Sequence, residues 1–369
     1  MRVCCISAFE LGSMKAHAIN TIKMGSAFAD LGHEVTFITY QSRDNVSPEH
    51  HIHDLYGLTT EIEWITLPRR RRSIYRKTEM WTFPILALPS VFSKKPDMIF
   101  ARHYVAPLVT SRLGIPSILE THAYVGNKTA PFKLAMKATQ HRAFRGLVTI
   151  SNHLKAYYIQ MGASAGKIQV LPTGVDTSLF QRPTDIGESP FASPAPNVTY
   201  MGHLYDFKGI PAILDAAAHL PNVYFHLIGG DPEDQQRHRK TIQQRNLSNV
   251  VMHGLMPQRE LPPFLWHSQV LLLPPSANNP TAKWTSPVKL GEYLASGTPI
   301  VATAIPALRD LLTDDEVIFV EPDNGESLAC GVQFVLDHAD EAKSRTEAGL
   351  RKAQQLSYTN RAKQIISLI

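Results

Sequence analysis

The stretch TSPVKLGEYLASGTPIVAT, residues 285–303, sets Ser286, Pro287, Val288, Lys289 and Glu292 at the head of a short apolar run. Ser286 suits an N-cap and Pro287 a first helical position, so a helix is predicted to begin there. The free N–H groups of such a start, together with the positive end of the helix dipole, favour anions, phosphate above all. Glu292 would lie about 7.5 Å further along the axis at 1.5 Å per residue. An acid at that distance from a phosphate suits ribose hydroxyls, as in dinucleotide-type sites. The plainer alternative pairs Glu292 with Lys289 three residues back, in the less favourable order along a helix. A second cation points the same way. In VTYMGHLYDFKGI (198–210) a strand ends at Gly202, a loop follows and Lys208–Gly209 opens a helix. A lysine there opposes the helix dipole unless an anion is also bound, which makes Lys208 a candidate diphosphate partner. Its alternative is a solvated loop lysine.

The elements that must position these residues follow from the apolar pattern. RVCCISA (2–8) reads as a strand, and residues 17–31 as a helix with Ile19, Ile22, Ala27 and Leu31 on one face, closed by Gly32. EVTFITY (34–40), DMIFAR (97–102), SILE (117–120), GLVTIS (146–151) and KIQVLP (167–172) follow as strands. Strand–helix–strand at this spacing means parallel βαβ units and a doubly wound α/β sheet. The cycle halts at QRPTDIGESPFASPAPNV (181–198), where four prolines and no apolar period indicate a linker. It then restarts: VTYMG, a helix near 209–219, VYFHLIGG, a helix near 231–245, VVMHG, VLLLPP, the opening helix, PIVAT and VIFVEP. Two doubly wound domains are therefore expected, with the working site in a cleft at the carboxyl ends of their strands.

Composition narrows the classes. A chain of 369 residues is long for one domain and comfortable for two. With 44% hydrophobic and 19% charged residues it is globular, and no run of 18 apolar residues suggests a membrane span. Three cysteines, Cys4, Cys5 and Cys330, cannot build a disulfide framework, so a reducing cytoplasm is expected. MRVCCISAFELG reads as a buried strand, not a secretory leader, because its apolar run is too short. Residues 1–180 carry 21 Lys+Arg against 12 Asp+Glu, a balance of +9, and the remainder 16 against 20, or −4. Only the first half is thus suited to an anionic partner.

YMGHLYDFKGI, HLIGGDP, NVVMHGLMPQRELPPFLWHSQVLLLPPS and SPVKLGEYLASGTPIVAT resemble the nucleotide-sugar half of the retaining GT-B glycosyltransferases of family 4. LGHEVTFIT, GIPSILETH and ISNHLKAYYIQMGASAGKIQVLPTGVDTSLF are similar to the other half, and the Gly-Val-Asp-x-x-x-Phe turn at 174–180 is characteristic. The likeness runs in order over almost the whole chain. It implies an acceptor domain over 1–180, the linker 181–198, a donor domain over 199–356, and a final helix, 357–369, that crosses back to the first domain.

Carried over residue by residue, the resemblance assigns Lys208 to the donor diphosphate and Glu292 to the ribose. Amides near Ser286, Pro287 and Val288 would hold phosphate, and the backbone of Leu255 and Met256 the base. His122 would reach the sugar, and Gly12 would let backbone approach donor and acceptor. His122, Lys208 and Glu292 form the catalytic set; Lys15, His17, Arg102 and His103 are acceptor-side candidates. Two departures stand out. The acid often found eight residues before Glu292 is Trp284 here, in a variant pattern that gives Ser286 and Lys289 prominence. The usual arginine beside the diphosphate is His203, and a histidine carries only part of a positive charge near neutral pH. No Asp-x-Asp occurs, so no metal is expected, and Lys208 with the helix start would stabilise the leaving group.

The implied reaction moves a sugar from a UDP- or GDP-sugar to a lipid-linked or glycan acceptor in cell-surface polysaccharide synthesis, with retention of configuration. Its alternative is a catalytically impaired nucleotide-sugar-binding or scaffold protein. An NAD enzyme is disfavoured because AFELGSMKAH lacks Gly-x-Gly-x-x-Gly. Residues 67–96 hold six cations within Arg69–Lys77 beside Trp81 and Phe83. That suits an anionic membrane surface on the cytoplasmic side, against a solvated loop or, with nothing else in support, nucleic acid.

Overall fold

The computed structural model describes residues 1–13, 15–42, 55–58, 60–69, 73–124 and 130–369. Of the basic run Arg69–Lys77, residues 70–72 lie outside the described residues. The chain separates into two compact units, Met1–Gly174 with Tyr358–Ile369, and Val175–Ser357.

Among the described residues the first unit holds seven parallel strands: β1 (Arg2–Glu10), β2 (Glu34–Tyr40), β3 (Glu63–Leu67), β4 (Met98–Ala101), β5 (Ser117–Thr121), β6 (Phe144–Thr149) and β7 (Ile168–Val170), in the order β3-β2-β1-β4-β5-β6-β7. The second holds six: β8 (Asn197–Met201), β9 (Tyr224–Ile228), β10 (Val250–Gly254), β11 (Val270–Leu273), β12 (Ile300–Thr303) and β13 (Ile318–Val320), ordered β10-β9-β8-β11-β12-β13. Central strands are apolar on both faces because helices cover both: Met98–Ala101 and Val270–Leu273 are buried throughout. In each sheet the order reverses beside the first strand, β1 or β8, which is where doubly wound sheets open a crevice for ligands. Gly12 follows β1, and Gly202 and Lys208 follow β8, so both loops marked by the sequence leave a switch point.

Two of the elements that the sequence pattern did not place lie near β1 and β2. β3 is a five-residue edge strand, only partly buried, beside β2. A helix spans Ser73–Lys94 with Pro84 and Pro89 inside it. Each proline removes an intrahelical bond, at a cost of ~3 kcal/mol in an isolated helix. Phe83, Ala87 and Val91, four residues apart, offset this by burial against Cys4, Ile6, Ile38, Tyr40 and Ile99.

The stretch 181–198, expected to link domains, belongs to the second unit: Phe191 packs on His226 at 4.2 Å, and Asn197 already starts β8. The helix Tyr358–Ile366 lies in the first unit, with Ala362 and Ile365 in one core with Ala18 and Ile22 of the helix Ala16–Asp30. Among the described residues no helix is long and apolar enough to cross a membrane.

Candidate active site

In the second unit the predicted donor residues gather around the carboxyl end of β8. The helix of the opening motif runs Val288–Ser296; Pro287, with φ −65° and ψ 129°, is its cap, and no side chain caps it. The predicted start, with Ser286 as cap, is thus one residue early. Proline's fixed φ serves cap and first turn alike, and here the extended ψ keeps Pro287 outside. Ser286 is buried just ahead of it.

Lys289, Glu292, Tyr293 and Ser296 share the inner face by their spacing of three and four. The Tyr293 hydroxyl accepts from the Met201 N–H at 2.9 Å, docking the helix on the end of β8. The Lys289 ammonium sits 3.9 Å from the centroid of the buried Tyr200 ring. It also fills the space above Gly202, where a Cβ would lie 2.6 Å from Nζ; φ of 132° there independently demands glycine. Burial first, then repulsion from Lys208, pushes Lys289 well below the usual lysine range, with Glu292 pulling the other way. Lys208 ends the short turn Asp206–Lys208, and burial lowers it too. Two crowded, partly desolvated ammoniums are a repulsive arrangement that a diphosphate would relieve.

Glu292 is 7% exposed and does not form the plainer alternative, a pair with Lys289 along the helix: its Oε1 accepts from Gln258 Nε2 at 2.8 Å. Burial raises its carboxyl to about 7, against the hydrogen bond from Gln258 and the charge of Lys289, with Asp176 adding to the rise. Gln258 follows β10 in the same loop as Leu255, which is 81% exposed, and Met256, which is half-buried. His203 is exposed and stacks on Tyr205 at 5.0 Å, while its carbonyl accepts from the Tyr200 hydroxyl at 2.7 Å. Trp284 is half-buried, its backbone N–H bonded to the Thr281 carbonyl at 3.0 Å.

In the first unit, His122 directly follows β5, half-buried, with Nε2 2.5 Å from Glu120 Oε1. Glu120 is buried and its other oxygen accepts from Arg361 Nη1 at 2.7 Å. Burial would raise the Glu120 carboxyl, but Arg361, His122 and Arg102 hold it well below the usual carboxylate range. Burial, with Arg102 beside it, pushes His122 down to about 4 against the pull of Glu120.

The acceptor-side candidates divide. Lys15 is exposed at the cap of the helix Ala16–Asp30, and His17 lies on its first turn. Arg102 turns toward that helix, donating to the His17 carbonyl at 3.0 Å and to Thr21 Oγ1 at 3.3 Å. His103 is buried, packs on Phe83 at 5.3 Å, and its Nδ1 accepts from the Ala106 N–H at the start of the helix Ala106–Arg112. Burial lowers it to about 4. The helix start has thereby taken up its Nδ1. Gly12 is exposed at φ 88°, a backbone state that favours glycine.

Residues 21–179 match the model of Glycosyltransferase Family 4, and residues 195–338 that of Glycosyl transferases group 1. The chain belongs to this family. Salmonella typhimurium WcaL, named as a provisional colanic acid biosynthesis glycosyltransferase, is 23% identical across 93% of this chain and 94% of that protein. Its Escherichia coli counterpart is 28% identical over a stretch that spans 45% of this chain and 41% of its own length. Among solved structures, a sucrose-phosphate synthase from Thermosynechococcus elongatus superposes with a TM-score of 0.76 at 20% identity, covering 100% of this chain and 98% of that one. Anabaena HepE in complex with UDP-glucose superposes with a TM-score of 0.74 at 13% identity, covering 100% of both. The fold is that of the GT-B glycosyltransferases.

Several groups in this glycosyltransferase had no signal in the sequence. Gln258 meets Glu292 across 34 residues and Arg361 meets Glu120 across 241, so no local spacing announces either. Tyr200 and Tyr293 read as ordinary core positions. A clue for Arg361 existed: an arginine on the apolar face of a helix whose Ala362 and Ile365 point inward needs a buried acid.

Proposed function

We propose that this glycosyltransferase moves a sugar from a UDP- or GDP-sugar to a lipid-linked or glycan acceptor in cell-surface polysaccharide synthesis, with retention of configuration. One observation carries the donor half of this reading: two depressed lysines, an uncapped helix start and a buried acid meet at the switch point of the second sheet. In the proposal, Lys208, Lys289 and the N–H groups of Val288 and Lys289 hold the diphosphate, and Glu292 accepts from ribose hydroxyls. The base lies along the backbone of Leu255 and Met256. The WcaL name and HepE's UDP-glucose complex support the acceptor pathway and the donor class.

The reaction breaks the bond from the anomeric carbon to the phosphate oxygen and forms one to the acceptor oxygen on the same face. The departing phosphate oxygen takes the acceptor's proton. Negative charge grows on the diphosphate as that bond breaks, and a fixed cation or N–H aimed at such charge contributes ~3 kcal/mol to the rate. His122 is the proposed contact to the sugar.

The proposal extends to an anionic membrane surface on the cytoplasmic side. The helix Ser73–Lys94 presents Trp81, Ile85 and Phe92 at 45%, 60% and 54% exposure along one side, next in sequence to the basic run. Interfacial helices combine an apolar stripe and cations in this way.

The reading is tested by incubating the enzyme with UDP- and GDP-sugars and a polyprenyl-diphosphate-linked glycan, then assigning the anomeric configuration of the product by NMR. Product with the donor's configuration supports it; an inverted product refutes retention, and free sugar with no glycoside refutes the transfer to that acceptor.

A further inference from the structure

The charged cluster behind His122 has no place in donor binding, yet it is built with care. Arg361 is 3% exposed and comes from the last helix of the chain. Its Nη1 donates to Glu120 Oε2 at 2.7 Å, its Nε to the Pro172 carbonyl at 2.9 Å and its Nη2 to the Leu171 carbonyl at 3.3 Å. The guanidinium therefore ties the helix Tyr358–Ile366 to β5 and to the chain leaving β7. Glu120 in turn meets His122 Nε2 with its second oxygen. Buried charges of this kind are costly unless each is met by a partner, and they add little stability over an apolar filling of equal volume. Their value lies in holding a geometry.

The order of donors settles which His122 nitrogen is free. An ionised carboxylate only accepts hydrogen bonds, so the proton between Glu120 and His122 resides on Nε2. In a neutral ring the proton count is then complete, and Nδ1 is left as an unprotonated acceptor. We infer that Arg361 and Glu120 are positioning residues that lock His122 in its Nε2–H form, so that His122 meets the sugar as a hydrogen-bond acceptor through Nδ1. This rests on the reading of His122 as the sugar contact. Its specificity consequence is that His122 selects a sugar carrying a hydroxyl at the point of contact and discriminates against the corresponding deoxy sugar.

The charged and titratable groups around the pair come from four elements. Arg361 stands on the last helix, Arg102 just after β4, Glu120 on β5 with His122 directly after it, and the buried Cys5 on β1. Arg102 faces both Glu120 and His122, but its Nη1 is engaged by the helix Ala16–Asp30. It supplies charge to the cluster while Arg361 supplies the direct contact.

The test uses full-length enzyme labelled with 15N-histidine, with the His122 signals assigned by their loss in His122→Asn. Long-range proton–nitrogen correlation reports which ring nitrogen bears the proton. The inference predicts a single Nε2–H form near neutral pH in the parent enzyme. Arg361→Met should give a mixture of tautomers and about a tenfold fall in kcat with donor KM little changed, and Arg361→Lys should restore much of both. A parent ring protonated on Nδ1 overturns the inference, as does an Arg361→Met enzyme with unaltered tautomer and kcat. Should Arg361→Met fail to fold, Glu120→Gln decides: Arg361 still takes the amide oxygen, so the amide NH2 turns to Nε2 and the ring proton should move to Nδ1, and a ring that stays in the Nε2–H form would again count against the account. If the tautomer behaves as predicted but His122→Asn retains full turnover, the positioning stands and the role of His122 at the sugar fails.

Discussion

Replacing Glu292 by Gln should make the ligand-free protein more stable and a worse enzyme at once. Its carboxyl titrates at about 7 against an ordinary value of 4.5. The folded protein therefore binds a proton that the unfolded chain has released between those values, so stability falls as pH rises from about 4.5 to 7 and stays low above it. At 1.36 kcal/mol per pH unit the buried carboxylate costs roughly 3 kcal/mol at pH 8 and almost nothing at pH 4.5. Gln keeps an oxygen for the Gln258 amide and carries no charge. The ligand-free variant should melt about 6–12 °C higher than the parent at pH 8, given about 2–4 °C per kcal/mol for a unit of this size, and near the parent at pH 4.5. Nucleoside diphosphate affinity should move the other way. Losing a charged acceptor for ribose hydroxyls costs about 1.5–3 kcal/mol, a ten- to hundredfold rise in Kd. Scanning calorimetry at both pH values and titration calorimetry at pH 8 read the two halves. A variant that melts at or below the parent at pH 8 and binds as tightly would refute the reasoning, because Glu292 would then be a stabilising acid with no ligand to meet.

Other changes have distinct signatures. Lys289→Met removes a depressed ammonium, so the ligand-free protein should lose no stability, while diphosphate affinity falls at least tenfold. Because a bound diphosphate restores the charged form of Lys289, binding near pH 8 should take up a proton in the parent and less in this variant, measured by titration in buffers of different ionisation enthalpy. Gly209→Ala places a Cβ 1.8 Å from the Pro274 carbonyl oxygen at a φ of 89°, and should cost more than about 3 kcal/mol in denaturant unfolding. Trp81→Glu with Ile85→Glu should weaken binding to vesicles containing anionic lipid at least tenfold while the melting temperature stays within about 2 °C, since both side chains are exposed; unchanged vesicle binding would remove this helix from any membrane role.

Much of the fold was legible because parallel central strands are continuous apolar runs with helices between them. Glu34–Tyr40 stands where its pattern put it, and the helix Pro232–Gln244 lies within a residue of its expected ends. β3 was not legible, since an edge strand with one face partly solvated carries half the signal. The helix Ser73–Lys94 was hidden by two prolines, which local rules treat as breaks and tertiary burial overrides. At the candidate site, Lys208 was marked by a charge that opposes a helix dipole, Glu292 by its distance from a predicted phosphate-binding helix start, and Lys289 by the family resemblance. Their neighbours were not marked: Gln258 and Tyr200 acquire meaning only once β8, β10 and the helix Val288–Ser296 come together. His103 was marked by its place after a strand, and only the folded chain shows that it is buried beside Phe83 with its Nδ1 accepting from the Ala106 N–H.

The most direct test of the central claim, that the second unit carries a nucleoside-diphosphate site built on Lys208, Lys289 and Glu292, is thermal unfolding with UDP, GDP, ADP, CMP and NAD in parallel. A ligand at 100 times its Kd adds about 2.7 kcal/mol. The account predicts a clear upward shift with UDP or GDP, absent in Lys208→Ala. No shift with any nucleoside diphosphate, or one that NAD alone produces or that survives in Lys208→Ala, would contradict it.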